Sequence, residues 1–262
     1  MAEKKTNSDV RLTKDGSTTI FSDQFDQHYH NPNGAAAESR YLFFDVPGVI
    51  DAIKSREEIV VFEMGFGTGL NLLLMKKYLE ELKTDCRITF NSVEAFPISS
   101  ETASLLDFGR EFDSKETSDV LHRIFGSLTE GMNTIRINDE LTLKLYNGLF
   151  DKMPDLDKNV DFFFHDPFSP EVNSELWTPG VFTRLKEYAS SNAILSTYCA
   201  ATSARASMAV AGWHIAKTRG ALGKREMTIA SPEERQLKRF KKLNGQRLIE
   251  RYKSGDFTHK EP

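Results

Sequence analysis

Residues 61–71, Val-Phe-Glu-Met-Gly-Phe-Gly-Thr-Gly-Leu-Asn, decide how this chain is read. An apolar run reaches an acid, Glu63. Gly65, Gly67 and Gly69 follow at alternate positions, and a Leu/Met-rich segment with helical spacing begins. The stretch reads as strand, glycine turn, helix. Glycines permit the tight turn and let the backbone approach a ligand where a Cβ would collide. The spacing E-x-G-x-G-x-G differs from G-x-G-x-x-G, which seats a pyrophosphate on a helix N-terminus. A carboxylate beside the turn suits a ligand with an ammonium or sulfonium group better than a pyrophosphate. The turn therefore points to a nucleoside-bearing cofactor, with simple packing as the plainer alternative.

Upstream, Asp15-Gly16 centres a hairpin over residues 11–21. A helix is expected over 35–44, after the loop Asn31-Pro32-Asn33-Gly34, and a second over 49–55, leading into the strand 58–64. Downstream, strands and helices alternate. Helix 71–83 carries Leu72, Met75, Leu79 and Leu82 at helical spacing, and strand 87–93 ends at Glu94. Helices follow over 98–108 and, more polar, over 113–128; the stretch 109–132 is a candidate insert. Paired strands 134–137 and 141–145 precede an apolar strand, 160–165. Helix 178–188 has Pro179 in its first turn, and strand 193–196, helix 203–211 and strands 213–217 and 226–229 complete the set. Ser231-Pro232-Glu233-Glu234 reads as a capping box opening a basic C-terminal helix that breaks near Asn244-Gly245.

This alternation predicts an α/β fold with a mostly parallel central sheet, helices on both faces, an antiparallel C-terminal strand and an N-terminal hairpin and helix extension. Three parts are expected: an extension over 1–56 with a disordered leader at 1–9, a main domain over 57–230, and a basic helix and tail over 231–262. Ligands of such a sheet gather at the C-terminal ends of its strands.

Bulk properties narrow the class. Two cysteines, Cys86 and Cys199, argue against a disulfide framework or a zinc site and fit a reducing cytoplasm. No stretch approaches the ~20 apolar residues of a membrane span. The net charge of −4 does not advertise a nucleic-acid binder, yet residues 231–262 carry nine basic and five acidic residues on an otherwise acidic body. Such a segment suits either a solvated helix face or local contact with a phosphate backbone.

Three strand ends carry polar groups that the fold brings to one edge. The first is Glu63 with its glycine turn. The second is Glu94, 25 residues beyond Gly69, placed to accept both hydroxyls of a ribose. The third is His165-Asp166-Pro167-Phe168-Ser169-Pro170, where proline stiffens the loop beyond a carboxylate. Each has a plainer alternative: Asp166 as a turn cap, Phe168 and Trp177 as core packing, Arg40 as a surface partner of Glu38. The histidines show no metal-ligand spacing, and no metal is expected.

These features resemble the class I S-adenosylmethionine-dependent methyltransferases, and the third resembles the D/N-P-P-Y/F turn of enzymes that methylate exocyclic nitrogens. More narrowly, the chain is similar to the methyltransferase half of the MnmC family of tRNA-modifying enzymes, or its stand-alone MnmD-like form. The matching residues run in order: Asp15-Gly16-Ser17, Tyr29-His30, Glu38-Ser39-Arg40-Tyr41, Phe62 to Asn71, Ser92 to Pro97, Asp166 to Pro170, Glu175 to Pro179, and Gly220 to Met227. The resemblance implies a Rossmann-like fold and methyl transfer to the aminomethyl group at C5 of the wobble uridine, position 34 of tRNA. The product is 5-methylaminomethyl-(2-thio)uridine. It implies no FAD oxidase here, so an enzyme that makes the aminomethyl group is a candidate partner, beside the tRNA anticodon stem-loop. Localisation is expected to be cytoplasmic.

The residue roles follow from that resemblance. S-adenosylmethionine contacts are implied for Glu63, Gly65, Gly67, Thr68, Gly69, Asn71, Glu94, Phe96, Asn147 and Asp166. Asp166 and Phe168 are implied to be catalytic. Arg40, Tyr41, Pro167, Phe168, Lys224, Arg225 and Glu226 are implied on the substrate side. One departure stands out: where relatives have Gly-Asp for the adenine, this chain reads Gly148-Leu149, leaving Asn147 as the substitute. Two other readings stay open, a spermidine-synthase-like aminopropyltransferase and a non-catalytic module that binds RNA or a partner.

Overall fold

The computed structural model describes residues 9–109, 112–157 and 159–257. The expected leader at 1–9 thus lies, but for Asp9, outside the described residues. Strands β1 (Asp9–Leu12), β2 (Thr18–Ser22) and β3 (Gln27–His28) form a small antiparallel sheet, with Asp15-Gly16 in the turn between the first two. Asp15 fixes that turn: its carboxylate accepts from the Ser17 amide at 3.1 Å and from the Thr13 hydroxyl at 2.6 Å. Helix α1 (Ala35–Ser39) runs on into a wider π-type stretch, Arg40–Asp45, and α2 (Val49–Ser55) follows.

The central sheet is built from β4 (Glu58–Met64), β5 (Arg87–Glu94), β6 (Gly131–Arg136), β7 (Leu141–Asn147), β8 (Val160–His165), β9 (Ala189–Thr197), β10 (His214–Thr218), β11 (Met227–Ser231) and β12 (Lys241–Lys242). Between them run α3 (Leu70–Leu82), α4 (Ser100–Ser104), α5 (Ser114–Ser127), α6 (Pro179–Tyr188) and α7 (Thr202–Val210), and α8 (Gly245–Lys253) closes the series. The strand order is β12-β10-β11-β9-β8-β4-β5-β7-β6. The middle strands β9, β8, β4, β5 and β7 pair in parallel; the flanking ones pair antiparallel.

Strand β4 shows why helices cover both faces. Ile59 and Val61 point into the core under α3 and α5, while Phe62 and Met64 point into the core under α6 and α7. Side chains alternate across a strand, so a strand with apolar residues on both faces needs cover on both sides. The sheet thus agrees with the predicted mostly parallel α/β fold.

Two local expectations are corrected. The helix expected over 98–108 is only the short α4, capped by Ser99, whose side chain accepts from the Thr102 amide at 3.1 Å. Helix α5 forms as expected and buries Leu121 and Ile124 in the core. The basic C-terminal helix does not start at the Ser231 box. Leu237 is drawn into the core, Lys241–Lys242 pair with β10 as an edge strand, and the helix begins where a break was expected. Asn244 is its N-cap, accepting from the Arg247 amide at 3.0 Å.

Candidate active site

The parallel strands deliver their C-terminal ends to one cavity of about 900 Å³. Gly65 and Gly67 come from the end of β4, Glu94 and Phe96 from β5, Gly148 to Asp151 from beyond β7, Asp166 to Ser169 from β8, and Tyr198 from β9. The N-terminal extension supplies the remaining wall through Phe25, Tyr29, Glu38 and their neighbours, and Lys224 reaches in from the β10–β11 loop.

The glycine turn has distinct tasks at its three positions. Gly65 and Gly67 lie on the cavity wall with φ of 90° and 54°. A Cβ on Gly65 would stand 3.2 Å from the Asp166 carbonyl oxygen, and one on Gly67 3.1 Å from a Tyr29 ring carbon. Gly69 opens α3 with φ of 80°, and a Cβ there would meet Leu121 and Phe66, so backbone conformation and packing both constrain it. The turn is held from the next strand. One Glu94 oxygen accepts from the Gly67 amide at 2.8 Å and the other from the Phe96 amide at 2.9 Å. Burial raises the Glu94 pKa above the ordinary carboxylate range.

Glu63 stands beneath the turn, off the cavity wall and 1% exposed. Its oxygens accept from Asn71 Nδ2 at 2.8 Å and from the Ser92 hydroxyl at 2.9 Å. Burial pushes its pKa up to about 8. Asn71 Nδ2 is engaged in this bond, and Thr68 shares a 2.6 Å hydrogen bond with His30 Nε2. Burial lowers the His30 pKa to about 4, so its ring is neutral near neutral pH. Glu63, Thr68, Gly69 and Asn71 thus form the layer that supports the turn.

The Asp166 loop is tied down on three sides. Trp177 Nε1 donates to the Phe168 carbonyl at 2.8 Å, the Tyr198 hydroxyl to the Pro167 carbonyl at 2.9 Å, and Gln27 Nε2 to the Ser169 hydroxyl at 2.7 Å. Phe25 stacks on Phe168 with centroids 4.5 Å apart, and Tyr29 meets it edge-on at 5.1 Å. Burial, with Glu63 and Glu38 as like charges, raises the Asp166 pKa well above the carboxylate range; Lys224 pulls the other way. The buried His165 beside it packs against Trp177 at 4.5 Å, and burial lowers its pKa to about 3.

Several expected residues stand elsewhere. The Asn147 side chain donates to the Thr129 carbonyl at 3.3 Å; the acid this loop brings to the cavity is Asp151, two residues past Leu149. The Tyr41 hydroxyl donates to the Arg219 carbonyl at 2.9 Å, bracing the β10–β11 loop. Glu226 pairs with Arg205 at 3.1 Å and with Lys217, not with Lys224 or Arg225. Arg40 and Arg225 are not on the cavity wall. Residues missed from the sequence include Phe25, Tyr29, Glu38, Asp151 and Tyr198. Of these, Tyr29 and Glu38 lay inside matched motifs, and their motif membership was the available signal.

The geometry fits a nucleoside cofactor. Two glycines whose missing Cβ atoms keep the wall open, a carboxylate fixed at the next strand end, and room for a second ligand meet in one place. Among the described residues there is no cluster of metal-binding side chains and no helix long and apolar enough to cross a membrane.

Comparison with known proteins agrees. Residues 113–233 match the family described as S-adenosyl-L-methionine-dependent methyltransferase. The chain is 33% identical over 223 residues to the "tRNA 5-methylaminomethyl-2-thiouridine biosynthesis bifunctional protein MnmC" of Cupriavidus metallidurans, covering 84% of this chain and 33% of that one. The protein of the same name in Ralstonia nicotianae is 31% identical over 224 residues, covering 84% and 34%. The chain therefore spans about a third of the length of these curated relatives. Its fold matches the crystal structure of MNMC2 from Aquifex aeolicus with a TM-score of 0.69 at 23% identity, covering 88% of this chain and 72% of that one. Fold, site and sequence agree: the chain is similar to S-adenosyl-L-methionine-dependent methyltransferases over residues 113–233 and to the MnmC proteins over about a third of their length, and it shares the fold of MNMC2.

Proposed function

We propose that the protein methylates the aminomethyl nitrogen at C5 of the wobble uridine, position 34 of tRNA, giving 5-methylaminomethyl-(2-thio)uridine. The observation that carries this reading is the meeting of Gly65, Gly67 and Glu94 with Asp166 and Phe168 on one cavity. The named relatives support the same substrate over an aminopropyl acceptor or a non-catalytic role. The anticodon stem-loop is then the macromolecular partner, the enzyme that makes the aminomethyl group supplies the substrate, and the cytoplasm is where both meet.

S-adenosylmethionine supplies a methyl group activated on a sulfonium sulfur. Gly65 and Gly67 admit it to the wall, Glu94 receives its ribose, and Asp151 is the acid nearest in sequence to the expected adenine loop. An alkylamine is mostly protonated near neutral pH, as lysine is. Only the nitrogen that has given up a proton has a lone pair to accept a methyl group. Asp166 is the proton acceptor. Burial and the neighbouring carboxylates raise its pKa, which strengthens it as a base, and a cation beside it favours the carboxylate form that accepts the proton. Phe168, fixed by Trp177, Phe25 and Tyr29, lines the path of the amine. Holding the two reactants close and aligned is worth about 7–11 kcal/mol.

The test is nucleoside mass spectrometry of undermethylated tRNA after incubation with protein and cofactor. The expected result is a gain of one methyl on 5-aminomethyl-2-thiouridine, lost in Asp166→Ala while cofactor binding persists. No gain with the wild-type protein removes the proposal. Turnover surviving in Asp166→Ala removes only the role given to that carboxyl.

A further inference from the structure

Glu38 and Lys224 are 186 residues apart in sequence and meet across the mouth of the cavity. Lys224 Nζ donates to Glu38 Oε1 at 2.8 Å, and Asn31 Nδ2 donates to the same oxygen at 3.1 Å. The Glu38 side chain is 12% exposed and that of Lys224 is 45% exposed. The Lys224 ammonium also lies 5.5 Å from the centroid of the Tyr198 ring, whose hydroxyl holds the Pro167 carbonyl. A carboxylate oxygen that an amide also holds and an aromatic face thus flank one –CH2–NH3+ group beside the Asp166 loop.

The two partners differ in how firmly they are placed. Glu38 sits on α1. Lys224 sits on the β10–β11 loop, which is anchored at its ends: the Arg219 carbonyl accepts from Tyr41, and Glu226 is clamped by Arg205 and Lys217. Between the anchors, Leu222 and Gly223 have φ of 48° and 85°. The cation is on a tethered tip, and the anion is on a fixed wall.

Other wall carboxylates are differently engaged. Glu94 is held by two backbone amides, Glu175 accepts from Asn173, and Asp151 pairs with its neighbour Lys152. We propose that Glu38 is the specificity-determining carboxylate that receives the alkylammonium of the substrate, and that Lys224 holds that position until the substrate arrives. This rests on the amine-methylation reading given above. The end of a lysine side chain and a protonated aminomethyl group are the same chemical unit, so the exchange replaces one cation by another. The carboxylate in its part-buried position is never left unpaired, which would be costly. A ring bearing a neutral methyl or hydroxymethyl group cannot make the exchange, and this discriminates against it. The released Lys224 is then available to a phosphate of the RNA.

Calorimetry on the full chain with cofactor present tests the exchange, using two probes: free 5-aminomethyluridine, and an anticodon stem-loop RNA carrying that nucleoside at its wobble position. Removing the stand-in by Lys224→Ala frees Glu38, so the free nucleoside is expected to bind about 3-fold tighter or better. The stem-loop, which loses a phosphate contact, gains less or weakens. Glu38→Gln is expected to raise KM for the stem-loop about 10-fold or more, the scale of a lost charge-assisted hydrogen bond, with the cofactor Kd within about 2-fold. Nucleoside binding unchanged or weakened in Lys224→Ala overturns the stand-in role. An unchanged KM in Glu38→Gln overturns the recognition role. If the wild-type protein binds cofactor but adds no methyl to the stem-loop by mass spectrometry, the parent reading falls and takes this assignment with it. If it methylates normally and the variants behave alike, only this assignment falls.

Discussion

Glu94 and Gly67 are joined by a 2.8 Å hydrogen bond from the glycine amide to a carboxylate oxygen. The bond runs between the ends of two adjacent parallel strands and sets the shape of the turn before any ligand enters. Glu94 thus has two tasks, to shape the turn and to present its remaining lone pairs to a ribose. Glu94→Gln keeps the size and loses the charge. Cofactor binding is expected to weaken by about 10- to 100-fold, corresponding to about 1.5–3 kcal/mol for a charge-assisted bond, with a lowered Tm, because the Gln amide nitrogen must face a backbone N–H that Glu94 accepted. Calorimetry checks the first and a thermal melt the second.

Gly67→Ala tests the cradle itself. The added methyl would stand 3.1 Å from the Tyr29 ring at a φ of 54°. The expected cost is about 1–2 kcal/mol of stability. The loss of cofactor affinity should be larger than that, because Tyr29 must move within the cavity wall. Equal losses in Gly67→Ala and in a Gly69→Ala control would show that the turn is only a packing element.

Burial lifts the Glu63 pKa from 4.5 to about 8. The folded protein therefore holds a proton that the unfolded chain releases between those values. Its contribution to stability is fully present below about pH 4.5 and falls as pH rises towards about 8. Glu63→Gln, neutral at every pH and still able to bond Asn71 and Ser92, is expected to flatten the decline of unfolding free energy between pH 5 and 8, a decline of the order of a few kcal/mol, and the fall of Tm with it. Parallel melting curves for the two proteins across that range would refute it.

Trp177 holds the Asp166 loop through its indole N–H, donated to the Phe168 carbonyl at 2.8 Å. Trp177→Phe leaves the ring packing largely in place and deletes the bond. The expected result is a loss of about 1–2 kcal/mol in stability. A fall in kcat without a matching change in cofactor Kd should accompany it, since the loop, not the turn, is loosened.

Asn244→Ala removes the side-chain cap of α8. It should cost about 1 kcal/mol, read by urea melts, and leave methyl transfer unaffected. A loss of activity at constant stability would give this helix a role in substrate contact.

What the sequence reveals and what it hides divide along physical lines. Strand β4, the glycine turn, β8 and the Asp166-Pro167-Phe168 loop are legible because apolar runs, glycine and proline restrict the chain locally. The C-terminal helix is misread because Asn244-Gly245 serves equally as a break and as a helix start, and pairing of Lys241–Lys242 with β10 decides between them. The wall made by Phe25, Tyr29, Glu38 and Tyr198 is hidden for another reason. No local pattern says that Gln27 will reach Ser169, 142 residues on, or that Tyr41 will reach Arg219. Asp151 escapes notice because a two-residue offset in a loop cannot be judged without its path.

The cavity is lined on one side by strand ends and on the other by the segment that precedes the sheet. The two sides are joined by hydrogen bonds from Gln27 to Ser169, Tyr41 to Arg219, His30 to Thr68 and Lys224 to Glu38, and Phe43 and Phe44 pack on Phe164 of β8. What grips the acceptor is thus built against what seats the donor. A swap of acceptor preference between homologues would have to carry the facing residues along with the N-terminal segment, Thr68 and Ser169 among them.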